Sequence, residues 1–135
     1  MGFNGHSILL VEDDSNDVLF IQRAFRQVDS SHPIHIVKDG DEAVDYLSGQ
    51  EKYADRDSYP LPALVLLDLK LPRRSGIEVL SWMRQQPMLR RIPVVVLTSS
   101  KESKDVNTTY DVGVSSYLVK PVSFDALSTM IAALD

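Results

Sequence analysis

Five short apolar runs punctuate this chain, and each is followed at once by polar or ionisable residues. Ile8-Leu9-Leu10-Val11 runs into Glu12-Asp13-Asp14, Leu64-Val65-Leu66-Leu67 into Asp68, Val94-Val95-Val96-Leu97 into Thr98-Ser99-Ser100, and Tyr117-Leu118-Val119 into Lys120-Pro121. Ile34-His35-Ile36-Val37 is another short run, interrupted by one histidine. Continuous apolar runs of this length predict strands buried on both faces. Between them the period lengthens to that of a helix. Val18, Ile21, Phe25 and Val28 predict a helix over 15–28, with Ser15 or Asp14 as its N-cap. Ala43 and Leu47 mark a second helix over Gly40–Ser48, and Val79, Leu80 and Met83 a third near 76–86. A fourth helix is expected over Lys101–Val112, weak because Asn107, Thr108 and Thr109 have poor helix propensity. Ser123 caps a last helix with Phe124, Leu127, Ile131 and Leu134 facing inward. Alternation of strand and helix throughout predicts an α/β protein with a single parallel sheet and helices on both faces.

Residues 49–62 fit neither period. A connection of that length in a compact domain is either functional or simply mobile. Its Tyr53 and Tyr59 pack on a partner or fold back on the preceding helix; the sequence leaves both open.

The 135 residues suit one domain, 1–135, with nothing left over for an output domain. A net charge of −5 disfavours nucleic acid as a partner, because phosphate neutralisation needs a basic face. No apolar run approaches membrane-spanning length and the N-terminus lacks a signal-peptide pattern, so a cytoplasmic location is the default expectation. Without cysteine there is no disulfide, thiolate catalysis or Cys-based metal site.

In parallel α/β sheets ligands bind outside the carboxyl ends of the strands. Asp68, the Glu12-Asp13-Asp14 cluster, Thr98 and Lys120 would therefore meet at one edge. Clustered carboxylates ionise together only when a cation joins them. Mg²⁺ is a hard ion that takes oxygen ligands and keeps several waters. An Asp can serve as a covalent nucleophile toward phosphorus, and Lys120 supplies a compact positive charge for the oxygens transferred. Asp14 and Asp17 read as a solvated, capping acidic turn, and Arg73 and Arg74 as a solvated loop rather than a phosphate clamp. His6, His32 and His35 show no metal or triad spacing and read as surface or strand filler.

The ordered set of Ile8 to Asp14, Asp68 with Pro72 and Gly76, Thr98-Ser99, and Tyr117 with Lys120-Pro121 resembles a two-component response-regulator receiver domain from Ile8 to Leu134. The resemblance implies a (βα)5 doubly wound, flavodoxin-like sheet in the order 2-1-3-4-5. It implies Asp68 as phosphoacceptor for a sensor histidine kinase, with Glu12 acting through water, Asp13, Asp68 and the carbonyl of Lys70 at Mg²⁺. Thr98 and Lys120 would hold the phosphoryl oxygens, Tyr117 would change rotamer on activation, and the Lys120-Pro121 bond would be cis. The signalling face would comprise the fourth helix, fifth strand and fifth helix.

The 49–62 loop, the Leu71–Gly76 segment and the absence of an output domain resemble the small receivers paired with phytochromes. Some of these dimerise through that same face, so a homodimer and a phytochrome kinase are among the partners implied, alongside an unidentified downstream protein. Such a protein is a phosphoacceptor and not an enzyme, apart from its own phosphorylation and dephosphorylation. A phosphorylation-independent pseudo-receiver is the alternative, although the acid, Thr and Lys whose loss marks that class are all present. An aspartyl-phosphate hydrolase would want Asp where Lys70 stands.

Overall fold

Each apolar run forms a strand, and its polar successor lands at one edge of the sheet. The computed structural model describes residues 7–27, 32–98, 116–120 and 123–132. Its strands are β1 (Ile8–Val11), β2 (Ile34–Val37), β3 (Leu64–Asp68), β4 (Val94–Thr98) and β5 (Ser116–Val119). The helices are α1 (Ser15–Gln27), α2 (Gly40–Ser48), α3 (Gly76–Arg84) and α4 (Phe124–Ala132). All pairings are parallel, in the order β2-β1-β3-β4-β5. This is the flavodoxin-like order that the resemblance implied. The helix expected over 101–112 lies outside the described residues, as do Ser99, Ser100, Pro121, Val28 and Leu134.

Strand alternation divides the core in two. Leu9, Val11, Val65, Leu67, Val94 and Val96 pack beneath α2 and α3 with Ala43, Leu47, Val79, Leu80 and Met83. Ile8, Leu10, Leu64, Leu66, Val95 and Leu97 face the other side, with Ile21, Ala24 and Phe25 of α1 and Leu127 of α4. Both faces are covered, which is why these strands need no polar alternation. Phe124 departs from expectation: it is 39% exposed, because α4 turns Leu127 rather than its first residue to the sheet.

Local chemistry sets the helix ends. Asp14, not Ser15, caps α1, its Oδ1 accepting from Asn16 N at 2.8 Å. Asp39 Oδ1 caps α2 by accepting from Glu42 N at 2.7 Å. Gly49 closes that helix at φ 71°, a left-handed conformation that glycine adopts without penalty. Ser75 and Glu78 form a capping box on α3.

The 49–62 loop folds back on α2. Tyr53 ends a single 3-10 turn (Glu51–Tyr53) and is buried. Its ring centroid lies 4.9 Å from that of Tyr46 and 5.0 Å from that of Tyr59. His35 joins the cluster at 5.8 Å from Tyr46, and its burial lowers its pKa. Arg56 stitches the loop to the end of α2: its guanidinium donates to the carbonyls of Tyr46 at 2.8 Å, Leu47 at 2.9 Å and Tyr59 at 3.1 Å. His32 is buried just ahead of β2.

Candidate metal and phosphoacceptor site

Parallel register brings the site together. Val11 pairs with Leu67, Asp68 with Leu97, and Thr98 with Val119. The next residues of β1 and β5 are Glu12 and Lys120, so acid, acid, hydroxyl and amine stand side by side along the carboxyl edge. Two bonds extend the ladder past the strands: Glu12 N donates to Val37 O at 3.0 Å and Lys120 N to Thr98 O at 2.7 Å.

Carboxylate oxygens of Glu12, Asp13 and Asp68 all lie within 4.8 Å of one another. Glu12, Asp68 and Thr98 are buried, whereas Asp13 is exposed. A dry edge with one wet ligand is suited to an ion that arrives from, and stays partly hydrated by, solvent. Lys120 Nζ reaches over this group, 2.8 Å from Glu12 Oε1, 2.9 Å from Asp17 Oδ2 and 3.2 Å from Asp68 Oδ2. The loop after β3 turns back so that Lys70 N donates to Asp68 Oδ1 at 3.1 Å, while the Lys70 side chain is exposed. Tyr117 is partly buried and packs on the core beneath α2 and α3.

The electrostatics follow from crowding. Burial pushes the Glu12 carboxyl up to about 7, and the Asp68 charge adds to this, against hydrogen bonds from Lys120 and Asp14 N–H that favour the anion. Burial alone would lower the Lys120 pKa, but hydrogen bonds to Glu12 and Asp17 and the charges of Asp68 and Glu12 raise it instead. One ammonium thus faces four carboxyl groups, counting Asp13 beside the three it touches. Hard oxygen donors in negative excess are the donor set that Mg²⁺ requires, so the residues present fit that ion.

One expectation needs correction. Asp17 is not merely a solvated residue, since the first turn of α1 carries it over the sheet edge to Lys120. Its place one helical turn after Asp14 was the available signal. Arg73 and Arg74 lie on a solvated loop as expected, and there they pair with Asp39 at 3.6 Å and Asp41 at 3.3 Å across the start of α2. No periodicity links those two segments.

The arrangement defines a class: a doubly wound α/β domain with an acidic, cation-accepting pocket at the carboxyl edge. The chain belongs to the response regulator receiver domain family, whose model matches residues 8–132. Among curated relatives it is 42% identical to the probable methanogenesis regulatory protein FilR2 of Methanothrix harundinacea, covering 92% of this chain and 77% of that protein. It is 39% identical to response regulator Rcp1 of Synechocystis, covering 95% of this chain and 85% of the relative. The Mn²⁺-bound structure of Rcp1 superposes with a TM-score of 0.82 over 96% of this chain and 91% of that one. The phosphorylated cyanobacterial phytochrome response regulator RcpA matches at 37% identity and a TM-score of 0.83, covering 96% and 90%. Receiver domains bind Mg²⁺ in the acidic pocket, and the trio here is consistent with that. Among the described residues no helix is long and apolar enough to cross a membrane.

Proposed function

We propose that this protein is a phosphorylation-switched receiver whose acceptor is Asp68. The observation that carries the reading is the meeting of Glu12, Asp13 and Asp68 within 4.8 Å, with the Lys120 ammonium 3.2 Å from Asp68 Oδ2. A carboxylate oxygen of Asp68 attacks the phosphorus of a kinase phosphohistidine. The P–N bond breaks, and the imidazole leaves with the electron pair and takes up a proton. Asp13, Asp68, the Lys70 carbonyl and Glu12 would hold Mg²⁺, which would supply charge neutralisation for the phosphoryl oxygens when bound. Lys120, already 3.2 Å from Asp68 Oδ2, follows the acceptor to the phosphoryl oxygens, where the Thr98 hydroxyl joins it. Tyr117 then follows Thr98 inward, and the face formed by β5 and α4 carries the signal as a population shift. The same face would carry any homodimer. The protein acts as a phosphoacceptor rather than a turnover catalyst.

The phosphoryl donor is a sensor histidine kinase, and resemblance to RcpA favours one of phytochrome type. Incubation with Mg²⁺ and acetyl phosphate, followed by intact mass spectrometry, tests the acceptor. A phosphoryl mass gain in the wild type that is absent from Asp68→Asn is expected. No gain with either acetyl phosphate or a phytochrome kinase would favour the phosphorylation-independent scaffold.

A further inference from the structure

The loop that carries the Lys70 carbonyl is seated at its far end on the start of α2, and the seat is built around an absent side chain. An ideal Cβ on Gly40 would lie 1.9 Å from Arg74 O and 2.6 Å from Arg74 C and Cβ. Gly40 N donates to Pro72 O at 3.4 Å. Asp39 and Asp41, on either side of Gly40, hold Arg73 and Arg74 by the ion pairs described above. Arg73 sits at φ 66°, a left-handed conformation unfavourable for a residue with a side chain, so the seat holds the loop in a shape it would not adopt freely. At its near end the loop is pinned to the acceptor: Lys70 N bonds Asp68 Oδ1, and Gly76 N bonds Leu69 O at 3.0 Å. The start of α2 is itself fixed, because Glu42 accepts from Lys38 N at 3.0 Å and from the Tyr53 hydroxyl at 2.6 Å. The Lys70 peptide therefore hangs between two anchors, one on Asp68 and one on α2.

We infer that Gly40 and the Arg73–Arg74 pair are positioning residues for the cation site, setting the distance between the Lys70 carbonyl and the Asp68 carboxylate. The inference rests on the proposed reading of Lys70 as a ligand. A side chain at position 40 must displace the Arg74 carbonyl by about an ångström, and the displacement passes along the short segment to Lys70. Groups that orient a metal ligand without touching the metal alter affinity by about ten- to a hundredfold when lost.

The test is Mn²⁺ affinity of the full chain, read from the free-ion EPR signal, with acetyl phosphate labelling of Asp68 measured across Mg²⁺ concentration. Gly40→Ala is expected to weaken Mn²⁺ binding by about tenfold and to raise the Mg²⁺ needed for half-maximal labelling by a similar factor. The labelling rate at saturating Mg²⁺ should stay within about twofold, a split that general loosening of the fold would not produce. Gly40→Ala that folds and binds Mn²⁺ like the wild type overturns the inference. If that variant does not fold, Arg73→Ala/Arg74→Ala decides. Removing two positive charges near the site strengthens cation binding by Coulomb's law alone, whereas loss of positioning weakens it. Weaker binding supports the inference; equal or tighter binding overturns it. A wild type that binds no Mn²⁺ and takes no phosphoryl group sinks the functional reading as well, whereas a competent wild type with an equally competent variant sinks only the positioning role.

Discussion

Glu12 is wholly buried beside another carboxylate, and this should make the metal-free protein less stable as pH rises. A carboxyl pushed from an ordinary 4.5 up to about 7 holds its proton in the folded state over a range where the unfolded chain has already lost it. In that window the unfolded state binds fewer protons, so stability falls with rising pH until the folded carboxyl ionises as well. At about 1.4 kcal/mol for each tenfold change in proton affinity, the full penalty approaches about 3 kcal/mol, of which about 2 kcal/mol develops between pH 5 and pH 8. Glu12→Gln removes the titration while keeping the shape. Urea unfolding in EDTA at both pH values should therefore show the variant gaining about 2 kcal/mol on the wild type as pH rises. His35, whose burial lowers its pKa, gives the opposite slope in the same window, but it is common to both proteins and cancels in the difference. Mg²⁺ should reverse the ranking. At a hundredfold excess over its dissociation constant a ligand adds about 2.7 kcal/mol, and Glu12→Gln should lose much of that gain. Equal pH slopes for the two proteins in EDTA would refute the argument that burial dominates at Glu12.

Other consequences follow from single contacts. Gly76→Ala would place a Cβ 2.3 Å from Asp68 O and 2.7 Å from Leu69 Cα, so the variant should lose about 1–3 kcal/mol in urea unfolding. Arg56→Ala removes a charged donor from three carbonyls and should cost about 2 kcal/mol. Amide exchange should show protection lost over residues 50–59, and unchanged exchange there would mean that the tyrosine cluster alone holds the loop. Ser75→Ala breaks the capping box of α3 and should lower stability by about 1 kcal/mol, measured by the same unfolding curve, with no effect on labelling at saturating Mg²⁺.

Most of the fold and half of the site could be read from the chain. Ile8–Val11 and Leu64–Leu67 announce strands because a buried parallel strand must be apolar on both faces. The residue that ends each run then has one place to go, the sheet edge, so Asp68, Thr98 and Lys120 were legible as neighbours. The Gly40–Ser48 helix was readable because Ala43 and Leu47, one helical turn apart, share a face. Strand order was not in the pattern; it came through family resemblance, since apolar runs carry no record of which neighbour they pair with.

Tertiary structure decided the long-range partnerships. Asp17 reads as a solvated helix residue until α1 is laid across the sheet and brings it to Lys120. Arg73 and Arg74 read as a solvated loop and are one, but only the fold sets them opposite Asp39 and Asp41. Tyr53 and Tyr59 have a binding-surface composition, yet Arg56 and the aromatic contacts with Tyr46 draw them onto their own helix. Local periodicity and capping act over a few residues and survive in one dimension. Pairing of charges, and the close approach that forbids a side chain at Gly40, arises only when segments distant in sequence share a volume.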